Sequence, residues 1–213
     1  DVLVVEDDPY RDLYFSDVSK EADTRPLAAD DESGRVIYLS SFSKTLAPGF
    51  RVAWLCAAPA LLGKFELAKQ ASDLCTSGLN QQMVNESVRR GLLARQLPKL
   101  RAHYQDKRDA MVRELTAATK GAITWQMPRG GFFLWARLSE PLDGDMLLPY
   151  AQQRGVIFVS GSAFFVTGQE RQFVRLAFSS ATPEGIHLGV ERLVMAMEDA
   201  RTAVSVESAS PRR

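Results

Sequence analysis

Ser40-Ser-Phe-Ser-Lys44-Thr-Leu-Ala-Pro48-Gly-Phe-Arg51 places a lysine, several hydroxyl side chains and an arginine in a loop between two short apolar runs, Val36 to Leu39 and Val52 to Ala57. Runs of that length, rich in Val, Leu and Ile and bounded by turn residues, read as strands buried in a sheet. A third run lies upstream, Asp1-Val-Leu-Val-Val5, ended by the turn chemistry of Glu6-Asp-Asp-Pro-Tyr10. A strand so continuously β-branched is expected to be buried on both faces, with neighbours on either side. Nothing precedes it, so the 213 residues are expected to be the C-terminal part of a longer polypeptide, and within them the first strand is expected to present an unpaired apolar edge. The polar stretch from Arg11 to Gly34 reads as a surface connection, and three short strands with loops between them indicate an α/β sheet.

Downstream of the third strand the period changes. Pro59 suits a first helical turn, and Leu61, Leu62, Phe65 and Leu74 mark an amphipathic helix ending near Ser77-Gly78. A second helix is expected from about Gln81 to Gly91. From Gln96 to Lys120 the stripe Leu97, Leu100, Tyr104, Met111 and Leu115 marks a long helix that Gly121 terminates and that could bridge two domains. Beyond it, Ile123 to Gln126, Phe132 to Leu138, Val156 to Ser160 and Phe173 to Phe178 read as strands. Met146 to Arg154 reads as a helix, and a last helix starts at Thr182-Pro-Glu184 with Ile186, Val190, Leu193, Val194 and Met197 on one face. The expected division is residues 1–95 as part of a large domain, 96–201 as a small α+β domain carrying the long helix, and 202–213 as an unordered Ser-rich tail.

Composition narrows the function. Twenty-six Lys plus Arg balance 26 Asp plus Glu, which argues against nucleic-acid binding by these residues, because phosphate neutralisation needs a concentrated basic excess. No apolar run approaches the roughly 18 residues of a membrane span, and the N-terminus lacks signal-peptide order. A cytoplasmic protein is expected. Cys56 and Cys75 lack metal-ligand spacing and read as reduced core residues.

The lysine loop carries the chemistry. A Walker-type phosphate loop fails, since Lys44 precedes Gly49 and the earlier glycine is missing. A partly desolvated lysine is a usable amine nucleophile. If it condensed with an aldehyde, the hydroxyls and a guanidinium could hold a phosphate on the same molecule. Pyridoxal 5'-phosphate has both groups, and its ring nitrogen calls for a carboxylate. Asp7, at the carboxyl end of the first strand, is placed for that role. Asp8 is its competitor. A Glu6-Asp7-Asp8 metal cluster is weaker, because successive strand side chains point to opposite faces, and no metal site is expected.

Four motifs, Glu6-Asp-Asp-Pro-Tyr10, Ser41-Phe-Ser-Lys-Thr-Leu-Ala-Pro-Gly-Phe-Arg51, Gly130-Gly-Phe-Phe-Leu-Trp135 and Val174-Arg-Leu-Ala-Phe-Ser-Ser180, stand in one order along nearly the whole chain. With them the sequence resembles the fold-type I, pyridoxal-phosphate-dependent class I/II aminotransferases. The likeness is to the branch with 2-aminoadipate and kynurenine aminotransferases and the aminotransferase-like domains of GntR-type regulators. The resemblance implies the C-terminal part of the aspartate-aminotransferase-like fold and transfer of an amino group between an amino acid and a 2-oxo acid. It implies Lys44 as the Schiff-base lysine and proton shuttle, Asp7 as the pyridinium partner and Tyr10 as the phenol at the cofactor's O3'. By the same resemblance Ser41, Ser43 and Arg51 are phosphate ligands, Arg175 binds the substrate carboxylate, and the full-length protein is a homodimer. The alternative is a non-catalytic effector domain behind a winged-helix DNA-binding module; a lyase or decarboxylase on the same scaffold is a third reading. Gly130 and Gly131 read as turn formers, and His103 and His187 are assigned no role.

Overall fold

The structure, a computed structural model, describes residues 2–17, 24–168 and 170–209. The chain divides into two compact units, the first running to His103 and including Arg129–Gly131, the second comprising Tyr104–Pro128 and the chain from Phe132 onward.

In the first unit three strands lie in the order β1 (Val4–Asp7), β2 (Val36–Ser41), β3 (Ala53–Cys56), with β1 parallel and β3 antiparallel to β2. The register sets Asp7 beside Leu39 and Ser41 beside Ala53. Between β1 and β2 the chain makes short turns at Arg11–Leu13 and Leu27–Asp30. Helices α1 (Pro59–Ser72) and α2 (Gly78–Arg89) follow β3. Leu13, Phe15, Ile37, Tyr38 and Val84 are buried.

The opening run presents the expected unpaired apolar edge: among the described residues β1 pairs only with β2, leaving Val4 42% and Val5 60% exposed. Two expectations are corrected in this unit. Cys56 and Cys75 are free but exposed, because β3 is an outer strand and α1, which precedes Cys75, buries none of its residues. Helix α1 stops at Ser72, five residues early, because Leu74 turns the chain into the left-handed region at φ 63°. Ser77 then caps α2 by accepting from the Asn80 N–H.

The long helix α3 (Leu92–Thr119) supplies residues to both units. The second unit is an antiparallel sheet, ordered β4 (Ile123–Trp125), β5 (Phe133–Leu138), β7 (Phe173–Ala177), β6 (Val159–Ser160), with α4 (Gly144–Gln153) and α5 (Pro183–Ala209). Alternation sorts its strands into faces. Leu134, Ala136, Leu138, Val174 and Leu176 are buried together with Met111, Leu115, Leu147, Ile186, Val190, Leu193 and Met197. Phe133, Trp135, Arg137, Phe173 and Arg175 take the other face, with Trp135 directly opposite Arg175.

The unordered tail expected from residue 202 is also corrected: α5 continues through it to Ala209. Its polar side chains do not break the helix, because the Thr202 and Ser205 hydroxyls donate back to the Glu198 and Arg201 carbonyls. Residues 210–213 of that segment lie outside the described residues.

Candidate functional site

Strands β1 and β2 are parallel, so their carboxyl ends share one edge of the sheet, the edge at which ligands of open α/β sheets gather. Glu6, Asp7 and Asp8 arrive there together, and the structure separates them. Glu6 caps the Leu27–Asp30 turn, its two carboxylate oxygens accepting from the Leu27 and Ala28 N–H groups at 2.8 and 2.9 Å. Asp8 accepts from the Tyr38 hydroxyl at 3.3 Å and lies 3.9 Å from the Arg11 guanidinium. Burial pushes the Asp8 carboxyl above the usual carboxylate range against both partners, and burial followed by the Asp8 charge pushes the Tyr38 phenol up. Asp7, between them and exposed, has no hydrogen bond or ion pair among the described residues. Alternation along the strand therefore commits Glu6 and Asp8 to the fold and leaves the Asp7 carboxylate without a partner among the described residues.

The lysine loop starts at the carboxyl end of β2 and is pinned at several points. The Ser40 hydroxyl donates to the Asp8 carbonyl at 2.8 Å, and Ser41 Oγ accepts from the Ser43 N–H at 3.3 Å. The N–H groups of Leu46 and Ala47 both return to the Phe42 carbonyl, and the Phe42 ring packs on Trp54 with centroids 4.8 Å apart. Asn80 of α2 donates to the Phe50 carbonyl at 3.1 Å. Within this frame Lys44 is half-buried, its Nζ 5.9 Å from the centroid of the Tyr10 ring and without a hydrogen bond or ion pair among the described residues. Arg51 ends the Pro48–Phe50 turn at φ 52°, ψ 37°. That left-handed conformation costs a non-glycine residue about 1–2 kcal/mol, and such strain gathers at ligand clamps.

Asp7, Tyr10, Ser41, Ser43, Lys44 and Arg51 all belong to the first unit, where Lys44 faces the Tyr10 ring and Ser43 bonds Ser41. Arg175 belongs to the second unit. Its guanidinium carbon lies 4.2 Å from the Phe133 ring centroid and 4.8 Å from that of Phe164, and its Nε is buried without a hydrogen-bond partner. An orphaned buried donor costs about 1–3 kcal/mol, a cost that an incoming carboxylate would remove. The same sheet face borders a cavity of about 650 Å³ walled by Trp125, Met127, Phe133, Trp135, Arg137 and Phe173.

Sequence reasoning missed Arg108, 3% exposed, which donates to the Pro128 carbonyl at 2.8 Å and pairs with Asp109. The signal was present: the step of seven between Tyr104 and Met111 skips the turn on which residue 108 continues the stripe. Phe164 as a brace for Arg175 had no such signal, because it comes from a separate turn at Gly161–Phe164.

The model of the family described as "Aminotransferase class I and II" matches residues 1–193. "Aromatic-amino-acid aminotransferase 1" of Thermococcus litoralis is 39% identical over 199 residues, 93% of this chain and 47% of its own length. "HTH-type transcriptional regulator NorG" of Staphylococcus aureus is 30% identical over 185 residues, 87% of this chain and 40% of its own. Among solved structures, α-aminoadipate aminotransferase from Thermus thermophilus, complexed with N-(5'-phosphopyridoxyl)-L-leucine, matches with a TM-score of 0.83 at 37% identity, over 94% of this chain and 51% of that one. The chain spans about half the length of these aminotransferases.

Proposed function

Because the chain belongs to the class I and II aminotransferase family, we propose that its protein moves an amino group between an amino acid and a 2-oxo acid with pyridoxal 5'-phosphate, as a homodimer in the cytoplasm. One observation carries the reading. At the shared carboxyl edge of β1 and β2, the side chains of Asp7, Lys44 and Arg51 have no hydrogen bond or ion pair among the described residues, whereas those of Glu6, Asp8, Ser40 and Asn80 around them all do. An acid, an amine and a guanidinium left unpaired in a pinned frame are what a ligand with a basic ring nitrogen, an aldehyde and a phosphate requires.

Pyridoxal 5'-phosphate, when bound, supplies that aldehyde and an electron-withdrawing ring. Lys44 would be the amine that holds the cofactor through its aldehyde and, when free, would take up the proton from the substrate Cα on its own Nζ. Asp7 would keep a proton on the ring nitrogen by its charge. The Tyr10 phenol would hydrogen-bond the ring oxygen. Ser41 keeps its hydroxyl proton free to donate, since its oxygen is only an acceptor toward the Ser43 N–H, and with Ser43 and the Arg51 fork it binds the phosphate. Arg175 takes the substrate carboxylate, supported by its unpartnered Nε.

Borohydride reduction of the cofactor-loaded full-length protein, followed by peptide mass spectrometry, is expected to fix the pyridoxyl group on Lys44. A reducible adduct that persists elsewhere in a Lys44→Ala variant would overturn the assignment.

The resemblance to the Staphylococcus regulator favours a second reading, a cofactor-binding effector domain. The upstream sequence discriminates the two: a basic helix-turn-helix module there supports the regulator.

A further inference from the structure

We infer that the Gly130-Gly131 pair is a positioning element for the Tyr10–Lys44 pair. The inference rests on the proposed role of Lys44 as the reactive amine. In sequence the two glycines lead into β5 of the second unit, yet by contacts Arg129–Gly131 belongs to the first. The segment lies as a strap along Leu13–Phe15. Phe15 N–H donates to the Arg129 carbonyl at 2.8 Å, Gly131 N–H donates to the Leu13 carbonyl at 3.0 Å, and Tyr14 and Gly130 form an antiparallel bridge. Leu13 and Phe15 are themselves fully buried.

The residues under the strap end the turn that Tyr10 begins, through the Leu13 N–H to Tyr10 carbonyl bond at 2.8 Å. The strap therefore fixes the backbone from which the Tyr10 ring projects, and it also reaches the ring. A Cβ on Gly131 would meet Tyr10 Cδ1 at 3.9 Å and Cγ at 4.0 Å. Lys44 Nζ stands 5.9 Å from the centroid of that same ring.

Both positions need glycine, for different reasons. A Cβ on Gly130 would sit 2.6 Å from the Leu13 carbonyl oxygen and 3.0 Å from Tyr14 Cα, both backbone atoms. Gly131 holds φ at 76°, which side chains rarely adopt. Any residue but glycine at 130 lifts the strap from Leu13–Tyr14 and releases Tyr10 from Lys44.

The test reads Lys44 directly, in the full-length protein without cofactor, as the rate at which acetic anhydride labels it by mass spectrometry. With the ring displaced, Gly130→Ala should raise that rate about two- to fivefold, the range of an exposed cation–π contact. Tyr10→Ala should give the same rise, and Gly130→Ala added to Tyr10→Ala should add nothing, since coupled residues are not additive. Lys107, whose Nζ donates to the Ser179 carbonyl at 2.8 Å, is the control for general loosening. An unchanged Lys44 rate, a rise shared equally by Lys107, or independent effects in the double variant would overturn the inference. If Gly130→Ala does not fold, Gly131→Ala asks the same question, because its Cβ has open contact distances and its strain is in φ. Borohydride trapping on wild-type Lys44 separates the two levels: its failure removes the functional reading, whereas trapping with unresponsive glycine variants removes only the positioning role.

Discussion

Asp8 and Asp7 are neighbours, and only Asp8 is tied into the fold, by Tyr38 and Arg11. Burial holds the Asp8 carboxyl above its ordinary 3.8 despite the Tyr38 and Arg11 partners. For a carboxyl raised by folding, the stabilising form is the neutral one. It is fully present below the unfolded value and is lost as pH rises through the folded value. Asp8→Asn keeps an acceptor for Tyr38 and removes the ionisation, so the variant should melt at a higher temperature than the parent at about pH 7 and at the same temperature at about pH 3. Equal melting points at both pH values would refute this account of Asp8. Arg175 gives a second residue-scale contrast, between stability and function. Its Nε is already unsatisfied, so Arg175→Met should leave the melting temperature unchanged or higher. The same variant should raise KM for the amino acid by about 10- to 100-fold, the worth of a lost charge-assisted hydrogen bond to carboxylate. Steady-state kinetics on the full-length protein and a thermal melt read the two halves.

At the scale of elements, one surface clamp has a pH window that can be worked out. His187 on α5 places Nδ1 2.8 Å from Glu114 of α3 and Nε2 3.4 Å from Glu191 one turn along its own helix. The Glu114 hydrogen bond, then the Glu191 charge, raises the imidazole above its ordinary 6.5, while the same bond lowers Glu114 below its ordinary 4.5. Stability from a raised histidine is complete below its unfolded value and disappears as pH rises through the folded one; stability from a lowered carboxylate disappears as pH falls. The clamp is therefore strongest between those two ordinary values. His187→Ala should lower the melting temperature at about pH 6 and match the parent at about pH 9. High salt should shrink the difference, because His187 and Glu191 are exposed and Glu114 is only half-buried. The elements themselves were legible wherever a periodic pattern ran unbroken: the apolar face of α5 and the alternation in β5 and β7 lie where the spacing sets them. What the pattern could not carry was pairing. Nothing local in Cys56 states how many neighbours β3 will have, so its exposure was misjudged. The lysine loop was legible because its residue types are costly without a ligand, whereas the strap at Gly130 and the buried Arg108 needed tertiary contacts to be seen.

At the scale of the whole molecule, burial is uneven. Among the described residues, the buried apolar ones of the first unit are Leu13, Phe15, Ile37, Tyr38 and Val84, and the others lie in the second. The first unit instead exposes Leu3, Val5, Leu67, Leu74 and Leu79, each more than half accessible. Since each large side chain fully buried is worth about 1.5–3 kcal/mol, the two units of this chain should not unfold together. Native-state hydrogen exchange should find the slowest amides in β5, β7 and α5 and much faster exchange in β1 to β3, the unit that carries Lys44. A ligand that binds one unit stabilises that unit alone, by an amount set by its concentration relative to Kd. Pyridoxal phosphate should therefore slow exchange in β1, β2 and the Ser40–Arg51 loop and leave α5 unchanged. Uniform protection across both units before ligand would show one cooperative core, and ligand protection centred on α5 would place the cofactor away from Lys44.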